Sequence, residues 1–302
     1  MNIALATYFS SDSGMGHLSR LRILLNELNK SKISSKLYVQ CSDIDCQNKA
    51  KTYFCDYIND VIFFYTGEHK ILSNVNLLIF DSLKKPELKI SYDCSVISIS
   101  LSPLYEENDC VDFIISRGKT NINNREVHQI IGTEYSIFNN LSINNKIDKS
   151  RLIFHVGGGI YKEKMLCELI SIFKEKSFLP NHKIITFGTK LDLKYDIKSC
   201  KFSSFIFSAS DIIVTSGGLS FSEAAYSGNK TINFFINEEH MHVRDESLET
   251  YKNVWNVGNI DELKKLDADK FNKKIQNLTV QKYNTCHGAK KIIKKLEEII
   301  DD

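Results

Sequence analysis

Short apolar runs rich in β-branched residues alternate with stretches of helical periodicity along almost the whole chain. That alternation predicts parallel sheets built from strand-helix-strand units. In the first half, strands are expected over Asn2–Tyr8, Lys36–Gln40, Val61–Tyr65, Asn76–Asp81, Val96–Leu101 and Asp112–Ile115. In the second half they are expected over Arg151–Val156, Lys183–Phe187, Asp211–Thr215 and Thr231–Phe235. Helical spacing marks Leu21–Leu28, Lys164–Lys176 and a segment starting near Ser220. The apolar positions Ala289, Ile292, Ile293, Leu296 and Ile299 predict a closing helix over His287–Ile300. Between the two sets of strands, Asn139–Ser150 is polar, rich in Asn, Ser and Lys, as an interdomain linker would be. The 302 residues exceed what one core usually holds. Two domains are therefore expected, 1–150 and 151–302.

Both halves open alike, with a strand, then glycines, then a helix. In the first, Ile3-Ala4-Leu5-Ala6 leads to Gly14-Met15-Gly16-His17-Leu18-Ser19-Arg20. In the second, Ile153-Phe154-His155-Val156 leads to Gly157-Gly158-Gly159. A glycine turn from strand into helix presents backbone N–H groups and the positive helix end to a ligand. It also sets His17 at the mouth, which makes His17 the first candidate for the chemistry. Two such openings predict Rossmann-like halves facing across a cleft. A further glycine turn, Ser216-Gly217-Gly218-Leu219-Ser220, follows the strand ending at Thr215. Its paired glycines would let a diphosphate approach the backbone, and Glu223, about one turn into the helix, would accept the two hydroxyls of a ribose diol.

Charge and composition narrow the rest. A net charge of +2, with 25% charged residues, gives no general affinity for nucleic acid or membranes. The N-terminus carries no basic segment ahead of an apolar one, and charged residues interrupt every apolar run, so the expected location is cytoplasmic. Eight cysteines occur without a C-x-x-C pair, which favours reduced thiols over a zinc site. His240 and His242, after the strand Thr231–Phe235 and in one loop with Glu238, are expected to line a donor pocket or to be solvated, without a metal. Asp43-Ile44-Asp45 and Asp267-Ala268-Asp269 spell D-x-D, yet neither follows a strand end near a glycine loop, and both read as helix starts. Arg20 and Arg244 are candidates to neutralise a diphosphate. His155, His182 and His287 are assigned no duty, and Trp255 is expected in a core.

The Gly-x-Gly-His-x-x-Arg opening and the Gly-Gly-x-x-x-x-Glu-Ala element resemble nucleotide-sugar enzymes of the GT-B superfamily. The chain looks most like the UDP-deoxysugar hydrolases of pseudaminic acid biosynthesis and the spore-coat polysaccharide glycosyltransferase-like proteins. Leu77-Leu78-Ile79-Phe80-Asp81, Asp109-Cys110-Val111-Asp112, Gly132-Thr133-Glu134-Tyr135-Ser136, Val156-Gly157-Gly158-Gly159 and Gly288-Ala289-Lys290-Lys291-Ile292 fall in the order in which that family has similar elements. The resemblance implies an α/β GT-B fold, His17 as catalytic base, and a nucleotide-sugar site drawing on Gly14, Gly16, Arg20, Gly157, Gly158, Ser216, Gly217, Gly218, Ser220, Glu223, Glu238 and His240. It implies a UDP-linked donor and no cofactor.

Where those hydrolases have a polar residue and then Tyr after the aspartate, this chain has Asp81-Ser82-Leu83. It has Ser100-Leu101-Ser102 in place of acidic residues, and Gly157-Gly158-Gly159-Ile160 in place of Gly-Gly-Thr-Asp. The changes fall on the acceptor side. They favour an inverting, metal-independent glycosyltransferase of surface-glycan biosynthesis over a hydrolase, with a sugar or lipid-linked glycan rather than water as acceptor. A non-catalytic partner subunit is the third reading. Apolar faces on the N-terminal helices would suit peripheral membrane contact, although the charge pattern does not require it.

Overall fold

The apolar runs form parallel strands, and each half of the chain assembles them into its own sheet. The computed structural model describes residues 1–91, 95–102, 105–116, 126–139, 141, 143, 151–156, 162–187, 191, 194–202, 205–235, 251–280 and 287–301. The chain divides into two compact units, Met1–Phe138 with His287–Asp302, and Asn139–Cys286.

The first unit runs β1 (Asn2–Phe9), α1 (Gly16–Lys30), β2 (Ser34–Cys41), α2 (Ile44–Tyr53), β3 (Val61–Tyr65), β4 (Lys70–Leu72), β5 (Leu77–Phe80), β6 (Leu88–Ile90), β7 (Ile97–Ser100), β8 (Phe113–Ser116) and β9 (His128–Ile131). Seven strands make one sheet in the order β3-β2-β1-β5-β7-β8-β9, and β4 and β6 form a separate short pair. All the pairings are parallel. Chain order reverses between β1 and β5, which pair with Ala6 opposite Phe80. In an open α/β sheet this is the switch point, where the loops leaving two neighbouring strands diverge and open a crevice at their C-terminal ends. Asp43 caps α2 by accepting a hydrogen bond from the Cys46 N–H at 2.8 Å, so the first D-x-D is a helix start.

The second unit repeats the plan. It contains β10 (Arg151–Phe154), α3 (Lys162–Glu175), β11 (Lys183–Phe187), β12 (Ile197–Cys200), β13 (Ile212–Thr215), α4 (Gly218–Ser227), β14 (Lys230–Phe234), β15 (Val254–Gly258), α5 (Ile260–Lys265) and α6 (Ala268–Asn277). The strand order is β12-β11-β10-β13-β14-β15, again parallel, with the reversal between β10 and β13. Near the starts of those two strands, Arg151 holds the buried Asp211 through two hydrogen bonds of 2.7 and 2.6 Å. Trp255 packs in the core, 5.3 Å from the ring of Phe271. Asp267 caps α6 through the Lys270 N–H, so the second D-x-D is also a helix start.

The closing helix, α7 (Gly288–Asp301), packs on the first unit, whereas the expected division at residue 150 had assigned it to the second domain. The cause is its apolar stripe. Ala289, Ile292, Ile293, Leu296 and Ile299 complete the core built by Leu18, Leu21, Leu24, Leu25 and Leu28 of α1. At its start, a Cβ on residue 288 would collide with the Ser136 carbonyl, so glycine is what lets the helix approach there. Two of the sequence elements that suggested a family thus touch. No helix among the described residues is long and apolar enough to cross a membrane.

Candidate functional site

The turn between β1 and α1 is built for a tight change of direction. Ser13 folds back on Ser10, its hydroxyl accepting from the Ser10 N–H at 3.0 Å, and Gly14 takes the left-handed conformation at φ +64°. Gly16 opens α1, where a Cβ would stand 3.5 Å from an Arg20 nitrogen. One turn on, His17 and Arg20 share a face. Both meet Asp81, the residue after β5, because the switch point brings the ends of β1 and β5 together.

Asp81 is fully buried and forms the hub. Its Oδ2 accepts from Arg20 Nε at 2.7 Å, and its Oδ1 accepts from Arg20 Nη2 at 2.7 Å. His17 Nδ1 lies 2.7 Å from the same Oδ1. Burial alone would push the Asp81 carboxyl up, but the charge of Arg20 and the His17 ring hold it well below the usual carboxylate range. Burial likewise opposes the Arg20 charge, and Asp81 more than restores it. Arg20 Nη2 also stands 2.8 Å from Nδ1. An ionised carboxylate only accepts and a guanidinium only donates, so Nδ1 cannot serve both. A bare Nδ1 lone pair facing Oδ1 at 2.7 Å would be repulsive. The network therefore assigns a proton to Nδ1, donated to Asp81, so that in the neutral ring it is Nε2 that carries the lone pair.

In the second unit, the turn between β13 and α4 carries Ser216, Gly217, Gly218, Ser220 and Glu223. Gly217 and Gly218 lie at φ +77° and +66°, a backbone in which a side chain would be strained. Gly217 is the N-cap of α4 and supplies no side-chain cap, so the first-turn N–H groups have no acceptor within the helix. The Gly217 N–H itself is already taken, donating at 2.8 Å to Asn233 Oδ1, which also accepts from Thr215 Oγ1 at 2.9 Å. Asn256 orients that amide by accepting from Asn233 Nδ2. Ser220 Oγ donates to the Gly217 carbonyl. Glu223, 4% exposed, directs Oε2 to His155 Nε2 at 2.8 Å.

Four sequence-predicted residues, Gly157, Gly158, Glu238 and His240, lie outside the described residues, as do His242 and Arg244. The others lie at two turns, one in each unit: Gly14, Gly16, His17 and Arg20 where β1 leads into α1, and Ser216, Gly217, Gly218, Ser220 and Glu223 where β13 leads into α4. Sequence reasoning missed three partners, Asp81, His155 and Asn233. For Asp81 the signal was a charged residue directly after an unbroken apolar strand, the place where open α/β sheets put functional groups. Among the described residues, no group of three His, Cys, Asp or Glu is arranged to hold a metal.

No protein-family model and no curated protein sequence matches the chain. Solved structures do match in shape. The UDP-GlcNAc 2-epimerase of Methanocaldococcus jannaschii is similar at a TM-score of 0.55 and 10% identity, covering 99% of this chain and 100% of that one. The spinosyn forosaminyltransferase SpnP is similar at 0.55 and 7%, covering 100% of both chains. The UDP-GlcNAc 2-epimerase of Neisseria meningitidis, solved with UDP-GlcNAc bound, is similar at 0.52 and 10%, covering 99% and 100%. Together with the two switch-point sheets, these likenesses establish the GT-B fold, two Rossmann-like domains in one chain.

Proposed function

We propose that the chain is a nucleotide-sugar enzyme acting at the anomeric carbon, an inverting glycosyltransferase of surface-glycan assembly with a UDP-linked donor. The observation that carries this reading is the buried Asp81 with His17 Nδ1 at 2.7 Å, an arrangement that leaves Nε2 free to take a proton. It is the geometry in which a carboxylate fixes the tautomer of a general base. Support for the donor comes from the fold and from the neighbours' names, which include a sugar transferase and epimerases of UDP-GlcNAc.

In this mechanism the second unit binds the nucleotide. Glu223 accepts the ribose hydroxyls, and the first-turn N–H groups of α4 meet the diphosphate charge, aided by the helix end. His17 Nε2 removes the proton of an acceptor hydroxyl as its oxygen bonds to the anomeric carbon. The bond from that carbon to the diphosphate oxygen breaks on the opposite face, and UDP departs with the electron pair. The same base could activate water, which is the chemistry of the hydrolases that the sequence resembles.

The test is to incubate a panel of UDP-sugars with and without sugar or lipid-linked acceptors, and to follow UDP and the sugar product. Transfer predicts UDP release that depends on the acceptor. Full release without one would make the chain a hydrolase, and sugar inversion at carbon 2 an epimerase. Tight UDP binding with no turnover would make it a partner subunit.

A further inference from the structure

Glu223 does not stand alone in its turn. It lies in the second turn of α4, and opposite it, at the end of β10, is His155, whose N–H continues the strand pairing by donating to the Val214 carbonyl at 2.9 Å. The side chains meet across the β10/β13 switch point, Nε2 to Oε2 at 2.8 Å, with side-chain exposures of 13% and 5%. The imidazole is held on two more sides. It stacks on Phe202 with centroids 4.6 Å apart and planes at 13°, and it meets the ring of Phe187 edge-on at 5.6 Å and 89°. A ring fixed by a strand end and two aromatic rings cannot swing to follow a mobile carboxylate, so the carboxylate is oriented by the ring. The other oxygen, Oε1, accepts no hydrogen bond among the described residues, although the residue is only 4% exposed. A nearly buried carboxylate with one oxygen anchored and one unpartnered calls for a donor from outside.

We infer that His155 is a positioning residue: it anchors Oε2 so that Oε1 receives the vicinal diol of a bound nucleoside diphosphate. This rests on the reading above, in which Glu223 binds ribose. Losing the anchor would leave the Glu223 carboxylate without the contact that orients it. The expected effect is about a 10- to 100-fold loss of affinity, the size of one charge-assisted hydrogen bond.

Calorimetric titration of the full chain with UDP and with 2′,3′-dideoxy-UDP tests it. The wild type should prefer UDP. H155F, which keeps the stack on Phe202 and removes the donor, should lose most of that preference while binding the dideoxy nucleotide as before. H155Q, which restores an N–H donor, should regain it to within about threefold. A role confined to folding would instead weaken both nucleotides alike, and that result would overturn the inference. Should H155F fail to fold, H155M also lacks the donor and fills similar space. E223A separates the two levels. If E223A loses the preference and H155F keeps it, the positioning role is wrong and the ribose assignment stands. If E223A keeps the preference, or if the wild type shows none, the ribose assignment fails and this inference with it.

Discussion

Each unit pairs a histidine with a carboxylate across its switch point, and the two pairs are mirror arrangements of one idea. In the first unit the histidine rides on the helix and the carboxylate ends the strand. In the second the carboxylate rides on the helix and the histidine ends the strand. The difference in engaged atoms is what matters. His17 is tied through Nδ1, so its Nε2 stays open, whereas His155 is tied through Nε2 and packed between rings. Asp81 is clamped by Arg20 with both oxygens used, whereas Glu223 keeps Oε1 unpartnered among the described residues. One pair thus leaves an imidazole nitrogen without a partner among the described residues, and the other leaves a carboxylate oxygen so. On the proposed reading, the same fold position serves catalysis in one unit and binding in the other, according to which partner is immobilised.

The comparison breaks first at Asp81. In D81N the amide nitrogen would donate to Nδ1 and force the proton onto Nε2, removing the base. Turnover of the UDP-sugar should fall about 10²- to 10⁴-fold with nucleotide affinity unchanged, by steady-state kinetics and calorimetry. An unchanged rate would show that the tautomer is irrelevant.

The next largest effect is structural. Arg151 and Asp211 form a buried bidentate pair, with Asp211 inaccessible and the Arg151 side chain 13% exposed. D211A leaves the guanidinium unpaired and should cost about 3–5 kcal/mol of stability in urea unfolding. Where the folded variant can be populated, its preference for UDP over the dideoxy nucleotide should be intact. Loss of the preference would mean that this pair also shapes the site.

A third test uses pH. The Asp81 pKa is depressed in the folded state from an ordinary value of 3.8. Its contribution to stability is therefore fully present above about pH 4 and is lost as pH falls toward the folded value. The advantage in unfolding free energy of wild type over D81N should hold level from pH 7 to about 5 and then shrink as acid is added. A constant difference down to pH 3 would contradict the ionised hub.

The smallest effect belongs to Gly218, at φ +66° with open space where a Cβ would go. G218A should lose about 1 kcal/mol of stability in urea unfolding, from backbone strain without a clash. A neutral result would mean that the turn relaxes freely.

The strands at the centres of the sheets were legible because burial on both faces demands unbroken apolar runs. Lys183–Phe187, inside its sheet, matches the structure residue for residue, and so does the edge strand Val61–Tyr65, whose run is apolar throughout. Strands β9, β12 and β15 escaped notice because outer positions tolerate polar residues. His128-Gln129 and Lys198-Ser199 carry no apolar pattern. At the site, His17 and Glu223 were visible because glycine turns flag them. Their partners were not, since they stand 64 and 68 residues away in sequence. Only strand order brings them together, and a strand order of β1 beside β5 or β10 beside β13 is not written in any local stretch. The closing helix shows the same limit. Its amphipathic stripe was clear, but α1, whose leucines it packs with, lies more than 250 residues earlier.

On the proposed reading, Nε2 of His17 takes the proton of the attacking hydroxyl. This step is tested most directly by comparing H17A with wild type on the UDP-sugar that wild type turns over, with UDP affinity measured in parallel. The account predicts a loss of about 10²- to 10⁴-fold in kcat with the dissociation constant for UDP within about threefold of wild type. Near-normal turnover by H17A would contradict it.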